Sequence, residues 1–362
     1  MTARVALDAM AVQRSGRGVS RLLREIVPLL LKPTSGLDAF ALTTAEGAEL
    51  LGPVEGEVVI VPRTPKSAWE QTGLPWLATR HGADRLYTCS ECGPLWGPST
   101  LLHIPEDPYV RWAIAPVATH HERLRRWYQR ATMARGVARA TCLVVNSQPV
   151  ADQLRQRFAP SMPVNVIPLG VDTALFYPDD GGIRDVSIFH LGSDEPRDQT
   201  ELVLAAYAAA LAMCPDLPDL IIAGNLTNLR RSLLEQTSLL GLRDRVQYRG
   251  RVSDQELRQL YSQCAICVQP ARYEGFGLQP LEALACGAPL IVLADPAVRE
   301  VVGTAAEVTD GPSVTAVAKT IKALWQDAQS RAHYRSAGPD RAHLFTWHNT
   351  STQLATHLNE LT

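Results

Sequence analysis

The seventeen residues Tyr273-Glu274-Gly275-Phe276-Gly277-Leu278-Gln279-Pro280-Leu281-Glu282-Ala283-Leu284-Ala285-Cys286-Gly287-Ala288-Pro289 constrain the fold more than any other part of the chain. Ala265 to Gln269, just before them, is a short apolar run that reads as a buried strand. A loop with two glycines follows. A helix is expected to open at Pro280, because proline loses nothing at the first helical position, where its N–H would go unused. Gly287 and Pro289 stop that helix, and Leu290 to Ala294 reads as the next strand. Strand, glycine loop, helix, strand is one βαβ unit of a parallel sheet.

The chemistry of this unit lies in its loop and first helical turn. Free N–H groups at a helix N-terminus attract phosphate, and Gly275 and Gly277 let the backbone come close to a ligand. Backbone donors from Gly275, Phe276, Gly277 and Leu278 would line such an anion site. Glu274 and Glu282 bracket it, with seven residues between them. Carboxylates repel phosphate, so they must serve another part of the ligand, and sugar and ribose hydroxyls are suitable partners. Each such charge-assisted hydrogen bond contributes about 1.5–3 kcal/mol. An anion site flanked by two hydroxyl-binding carboxylates describes a nucleotide-sugar.

The run E-G-F-G-L-Q-P-L-E-A-L-A-C-G-A-P resembles the donor-site signature of retaining glycosyltransferase family 4. The resemblance implies an α/β protein of the GT-B fold: two Rossmann-like, doubly wound domains facing a cleft. Three segments are expected: an acceptor-side domain over 1–169, a nucleotide-sugar domain over 170–343, and a C-terminal helix over 344–362 that crosses back to the first domain. The boundary is placed near Gly170, where I-P-L-G-V-D resembles the family's hinge. The resemblance is densest from Arg251 to Pro289 and thinnest before Ser147.

Composition agrees with a globular enzyme. The net charge of −2 argues against nucleic acid as the main partner. It hides an asymmetry: 19 Lys+Arg face 14 Asp+Glu through residue 168, and 16 face 23 thereafter. No signal peptide and no apolar run of spanning length is evident, so a cytoplasmic protein is expected. Two of the seven cysteines' spacings are C-x-x-C, Cys89/Cys92 and Cys264/Cys267. Cys267 falls inside an expected buried strand, a poor place for a zinc ligand, so buried free thiols are the default reading.

Other stretches fit around the signature. Arg4 to Val12 reads as the first strand, followed by a loop carrying Gly16 and Gly18 and a helix over Val19 to Leu31. The third glycine of a dinucleotide fingerprint is missing, since Arg21 stands there. The resemblance puts this loop near the donor phosphates and the acceptor. Short apolar runs alternating with helices, among them Asp38–Thr43, Asp84–Thr88, Leu101–Ile104, Val186–His190 and Leu220–Ala223, predict doubly wound sheets with ligands at the strands' carboxyl ends.

At the end of one such strand stands His103-Ile104-Pro105-Glu106-Asp107. Family members commonly have His-Asp at this point, with the histidine near the reacting sugar carbon; Glu106-Asp107 stands in its place. Either Glu106 or His103 takes that role, as a proton acceptor or as a partner for oxocarbenium charge. Relatives also carry Arg-Lys against the donor pyrophosphate. This chain keeps Arg197 but has Asp198 in the lysine's place. The resemblance also puts the turn after the expected strand Val246–Tyr248, with Val252, beside the nucleobase.

Residues 121–140 read as a helix with Arg123, Arg125, Arg126, Arg130, Arg135 and Arg139 beside Trp127 and Tyr128. It could meet anionic lipid at a membrane surface, or simply be a solvated face; its arginines fall on several sides rather than in one stripe.

The expected activity is transfer of a sugar, with retention and without a metal or other cofactor, from a UDP- or GDP-linked donor to a hydroxyl acceptor. Glu274 would hold sugar hydroxyls and position the anomeric carbon. Glu282 would hold the ribose, and Arg197 with the loop's N–H groups the leaving phosphate. Two alternatives remain open: a GT-B epimerase or phosphorylase, and a catalytically silent subunit that binds nucleotide-sugar.

Overall fold

The computed structural model describes residues 3–14, 18–115, 119–179 and 184–361. Gly16 lies outside them. The chain divides into two compact units. One takes in Met1–Trp112, Pro116–Gly170 and Thr346–Thr362, the other Ala113–Ala115 and Val171–Phe345.

The first unit is built on seven parallel strands: β1 (Arg4–Asp8), β2 (Asp38–Thr43), β3 (Glu57–Ile60), β4 (Arg85–Cys89), β5 (Ser99–His103), β6 (Cys142–Val145) and β7 (Val164–Val166), in the order β3-β2-β1-β4-β5-β6-β7. Central strands are covered on both faces, which is why Val5-Ala6-Leu7 and Cys142 to Val145 are unbroken apolar runs. The order reverses between β1 and β4. Loops leave that point in opposite directions and open a crevice at the carboxyl ends.

Two local features of this unit have clear causes. β1 stops at Asp8 instead of running to Val12, because the Asp8 carboxylate accepts the Met10 N–H at 3.2 Å and turns the chain. The helical stretch that follows β3 is three pieces: Lys66–Ala68, a π-turn over Trp69–Gly73, and Leu74–Arg80. Pro75 has no N–H to give the Gln71 carbonyl, which accepts the Trp96 indole N–H at 2.6 Å instead.

The chain's last helix, Trp347–Glu360, belongs to this first unit. Its Leu354 and Leu358 are fully buried, each worth roughly 1.5–3 kcal/mol by transfer from water. Thr350 Oγ1 donates to Pro168 O at 2.7 Å, and Arg85 Nη1 to Leu358 O at 2.8 Å. Thr346 caps it by accepting the Asn349 N–H at 3.1 Å.

The second unit carries six parallel strands: β8 (Ile188–Ser193), β9 (Leu220–Asn225), β10 (Val246–Gly250), β11 (Ile266–Gln269), β12 (Leu290–Leu293) and β13 (Glu307–Thr309), ordered β10-β9-β8-β11-β12-β13. Its reversal falls between β8 and β11. Leu204, Tyr207, Leu220, Ile222, Ile266, Val268 and Ile321 fill one layer of the core. β13 has no counterpart in the sequence reading; three residues carry too little pattern. Two helices follow β13, Val314–Gln326 and Ala328–Ala342. Asp327 ends the first and caps the second by accepting the Ser330 N–H at 3.0 Å. With two parallel-sheet, Rossmann-like units, the protein has the GT-B class of fold expected from its sequence.

Candidate functional site

In the second unit, the loops after β8 and β11 flank the reversal point. The β11 loop ends at Gly277, whose φ of 108° is closed to most L-residues. Gly277 is the N-cap of the helix Leu278–Ala285, and no side chain caps that helix. The helix therefore opens two residues before Pro280, which sits in the first turn where an N–H is not needed. Its first-turn amides are left for a ligand.

Two contacts hold this loop in place. Phe276 is buried, edge-on to Phe345 with centroids 5.8 Å apart, so its ring anchors the loop from inside. The Asp295 carboxylate accepts the Ala297 and Val298 N–H groups at 3.0 Å each and also the backbone N–H of Glu274. Burial raises the Asp295 carboxyl above its usual range, and those three backbone bonds pull it back. Asp295 is a positioning residue that sequence reasoning missed. Its signal was present in Asp295-Pro296, an N-cap followed by a first-turn proline.

Glu274 is half-buried at the loop's start, and Glu282 is 6% exposed within the helix. Burial and then the Glu282 charge push the neighbouring Tyr261 phenol up; its hydroxyl is buried without a hydrogen bond. Gly275 is buried and Leu278 half-buried, so loop and first turn lie close under the surface.

The β8 loop explains Asp198. That carboxylate is buried and accepts the Ser193 hydroxyl, while Ser193 Oγ accepts the Glu195 N–H at 3.1 Å. Asp198 thus braces the loop from within, where a lysine could not. Arg197 keeps its side chain 23% exposed, 4.0 Å from Asp198. Its carbonyl accepts the Arg272 N–H at 3.0 Å, and Gln199 Nε2 donates to Pro270 O at 2.7 Å. The two loops are therefore stitched together, with the exposed Arg272 alongside Arg197. Arg272 is a second cation that the sequence reading passed over. Val252 follows β10, two strands from β8 on the same carboxyl edge. Gly18 begins the helix Gly18–Leu30 in the first unit, with open space where a Cβ would stand.

The first unit's reversal point carries a row of charges, buried except at its Lys66 edge. At the end of β1, Asp8 accepts Thr88 Oγ1 at 2.7 Å and Trp69 Nε1 at 3.0 Å. Beside it the Lys66 ammonium bonds Glu91 Oε2 at 2.5 Å and lies 3.7 Å from Glu70 Oε1. Arg111 links Glu91, at 3.6 Å, to Glu106. Tyr128 OH donates to Glu70 Oε2 at 2.9 Å. Burial lifts the Glu70 carboxyl to about 7 against the pull of Lys66. Burial would lift Glu91 too, but Lys66 and Arg111 together hold it down at about 2.

His103 stands apart from this row. It is fully buried, with Nδ1 2.9 Å from Tyr87 OH and Nε2 2.5 Å from Asn146 Oδ1. Burial lowers it to about 4, so the ring is neutral and both nitrogens are occupied. The geometry gives His103 to the sheet interior and Glu106 to the crest.

The arginine-rich helix spans His120–Arg139. Its core side is set by Met133, Val137 and, unexpectedly, Arg126, which is buried against Glu122 at 2.5 Å and the Trp112 carbonyl at 3.4 Å. Leu124 and Trp127 point outward, 63% and 66% exposed. Ala131, Ala134 and Ala138 continue their line at helical spacing, with exposed Arg123, Arg130 and Arg135 on its flanks. The arginines that fell on several sides in the sequence frame an outward apolar stripe in the structure. No helix among the described residues is long and apolar enough to cross a membrane. All seven cysteines are buried free thiols.

Comparison with known proteins follows the division into units. The family described as Glycosyltransferase Family 4 matches residues 59–175, and Glycosyl transferases group 1 matches residues 184–341. The MMP alpha-(1->4)-mannosyltransferase of Mycolicibacterium hassiacum is 31% identical over 196 residues, covering 54% of this chain and 46% of that protein. The D-inositol 3-phosphate glycosyltransferase of Salinispora tropica is 29% identical over 245 residues, 60% of this chain and 50% of its own length. The chain thus spans about half the length of the curated relatives it matches. Among solved structures, sucrose-phosphate synthase from Thermosynechococcus elongatus superposes with a TM-score of 0.75 at 18% identity, over 99% of both chains. Anabaena HepE in complex with UDP-glucose gives 0.75 at 19% identity, over 99% of this chain and 100% of that one. At such identities these two speak for the fold. The sequence matches in both units, joined to the Glu274–Glu282 loop at the second reversal point, place the chain in the group 1, family 4 glycosyltransferases.

Proposed function

We propose that the protein moves a sugar from a nucleotide-diphosphate sugar to an acceptor hydroxyl, with retention at the anomeric carbon and without a metal ion. The observation that carries this reading is an uncapped helix opened by a left-handed glycine at a sheet's reversal point, with one carboxylate before it and one within it. The amides of Gly275 to Leu278 and the guanidinium of Arg197 would take up charge on the leaving diphosphate. Fixed dipoles of this kind need no reorganisation as charge develops. Glu282 would hold the ribose and Glu274 the sugar hydroxyls. Glu106, at the first unit's own reversal point, is the proposed carboxylate of that unit's site. Similarity to a structure holding UDP-glucose supports a UDP-linked donor, and similarity to mannosyltransferases keeps GDP-linked donors in the test set.

The test is incubation with UDP- and GDP-sugars in the presence of EDTA, with the product's anomeric configuration read by NMR. Retained configuration and undiminished rate in EDTA are expected; inversion or an EDTA-abolished rate would refute the corresponding clause. Acceptor-free conversion of one nucleotide-sugar into another would mean an epimerase, and donor binding without hydrolysis or transfer a silent subunit. Donor binding itself is read by thermal shift, since a ligand selective for the folded state raises apparent stability.

Arg272 enters the reading as the second phosphate cation in place of the lysine replaced by Asp198. Arg197→Ala and Arg272→Ala should each raise the donor KM about tenfold or more, the loss of one charge-assisted hydrogen bond. A donor KM unchanged in Arg272→Ala would remove that residue from the site.

The outward stripe of the helix His120–Arg139 supports a peripheral membrane contact. Exposed tryptophan and leucine insert at the headgroup boundary while flanking arginines meet anionic lipid. Vesicles containing phosphatidylglycerol should carry the protein in flotation, and Trp127→Asp should release most of it. Equal flotation on purely zwitterionic vesicles, or none on either, would rule this out.

A further inference from the structure

Six residues at the first unit's reversal point form an alternating row: Tyr128, Glu70, Lys66, Glu91, Arg111, Glu106. Reversal points are where open parallel sheets bind ligands, so under the function proposed above this row falls to the acceptor. We infer that it takes a hydroxyl-rich acceptor carrying no phosphate or other anionic group, and favours one bearing a protonated amine.

Two cations, Lys66 and Arg111, are set against three carboxylates, Glu70, Glu91 and Glu106, and every cation already faces at least one of them. An incoming phosphate would have to displace a carboxylate from Lys66 or Arg111. It would then leave a buried charge uncompensated, the costly way to break a buried pair. Glu91 is the hinge of this arrangement, bonded on one oxygen to Lys66 and facing Arg111 with the other.

Hydrogen-bonding capacity points the same way. Glu70 is 2% exposed, yet its Oε1 makes no hydrogen bond, and Arg111 Nη2 is likewise buried without one. A buried acceptor and a buried donor left open in one row are what a polyol can satisfy, since each hydroxyl both donates and accepts. An ammonium group would satisfy Glu70 Oε1 and offset the row's excess negative charge. Lys66, with its side chain 55% exposed, forms the solvent-facing edge of the row.

The π-turn gives the arrangement its shape. It widens the helix between Lys66 and Leu74 and buries both Trp69 and Glu70. Trp69 then reaches Asp8 and Glu70 reaches Tyr128, while Gln71 donates to Tyr128 OH and to Gly93 O, each at 2.9 Å. Single-turn π-bulges of this kind concentrate at functional sites.

The experiment compares three acceptors of one skeleton, a neutral cyclitol, its amino derivative and its phosphate ester, with whichever donor the nucleotide-sugar screen selects. The amino and neutral compounds should be used with kcat/KM at least tenfold above the phosphate ester. Preference for the phosphate ester would overturn the inference. In Glu91→Gln, which frees both cations of their shared carboxylate, the ratio of phosphate ester to neutral acceptor should rise about tenfold; an unchanged ratio would also overturn it. Lys66→Gln should raise the acceptor KM while leaving the donor's thermal shift intact. Donor hydrolysis in the absence of any acceptor is measured in parallel. If that hydrolysis is present and the acceptor order is wrong, this inference fails alone. If donor binding and hydrolysis are both absent, the functional proposal fails first.

Discussion

Glu274→Ala is expected to lower kcat by about 10²–10³, the usual cost of one preorganised group that acts on developing charge, with the donor KM changed only a few-fold. Glu282→Ala should do the opposite, raising the donor KM by tenfold or more with kcat largely kept. The split follows from where the two side chains sit. Glu274 begins the loop, and its backbone is pinned by Asp295, so its carboxylate is held at the mouth of the helix where a leaving phosphate and the sugar ring would meet. An interaction that strengthens only in the transition state shows in kcat. Glu282 lies a turn deeper, buried beside Tyr261, and would grip a part of the donor that does not change during reaction. Uniform binding shows in KM. Steady-state kinetics with varied donor separates the two. Wild-type turnover in both variants would end the assignment, and a kcat loss confined to Glu282→Ala would reverse it.

The legibility of these residues in the sequence differed for physical reasons. The β11 loop and its helix were readable because one contiguous stretch carries the strand, the glycines, both carboxylates and the helix stop. Only the helix start moved, by two residues, since Gly277 in the left-handed region caps it more decisively than Pro280 opens it. Parallel strands were readable because burial on both faces leaves apolar runs, while β13, at three residues, was not. The first unit's crest was illegible for a different reason. Lys66, Glu91, Glu106 and Tyr128 are separated by tens of residues and meet only in the folded unit: Lys66 follows β3, Glu91 β4 and Glu106 β5, while Tyr128 lies on the helix His120–Arg139. Nothing local distinguishes Glu91 from a solvated glutamate. The π-turn that buries Glu70 depends on Pro75 and on Trp96, another distant partner.

Asp198 and the arginine-rich helix show the same limit from two sides. As a sequence position, Asp198 was a missing lysine; in the fold it is an internal brace, and the nearby exposed charge is Arg272, brought in by a backbone bond between loops. The helix looked basic on several sides because its pattern was read without knowing which side is buried. Once Arg126 and Met133 fix the inner face, Leu124 and Trp127 must lie outward. Charge and hydropathy patterns thus give amphipathicity only relative to a core that tertiary structure defines.

Gly170→Ala should produce a large loss of stability in this chain's first unit. A Cβ there would stand 2.1 Å from Trp347 N, 2.4 Å from Thr346 C and 2.8 Å from Trp347 Cα. All three are backbone atoms, so no side-chain rotation relieves the overlap. Relief requires moving the start of the helix Trp347–Glu360, which is held by Thr350 on Pro168 and by Arg85 on Leu358. Overpacking of this sort costs about 1–3 kcal/mol and more where the surroundings cannot give; with a helix terminus displaced, about 3–5 kcal/mol is expected, near the upper end for point mutations. At roughly 2–4 °C per kcal/mol for a unit of this size, the first unit's transition should fall by about 10 °C in calorimetry. The two units need not unfold as one, so a donor-induced shift of the second unit's transition should survive. Gly18→Ala is the control. It adds the same methyl at the start of a helix in the same unit, but into open space, and is expected to be neutral or to stabilise by about 0.4–1 kcal/mol through the unfolded chain's lost freedom. Equal melting of both variants would mean that the last helix does not rest on Gly170.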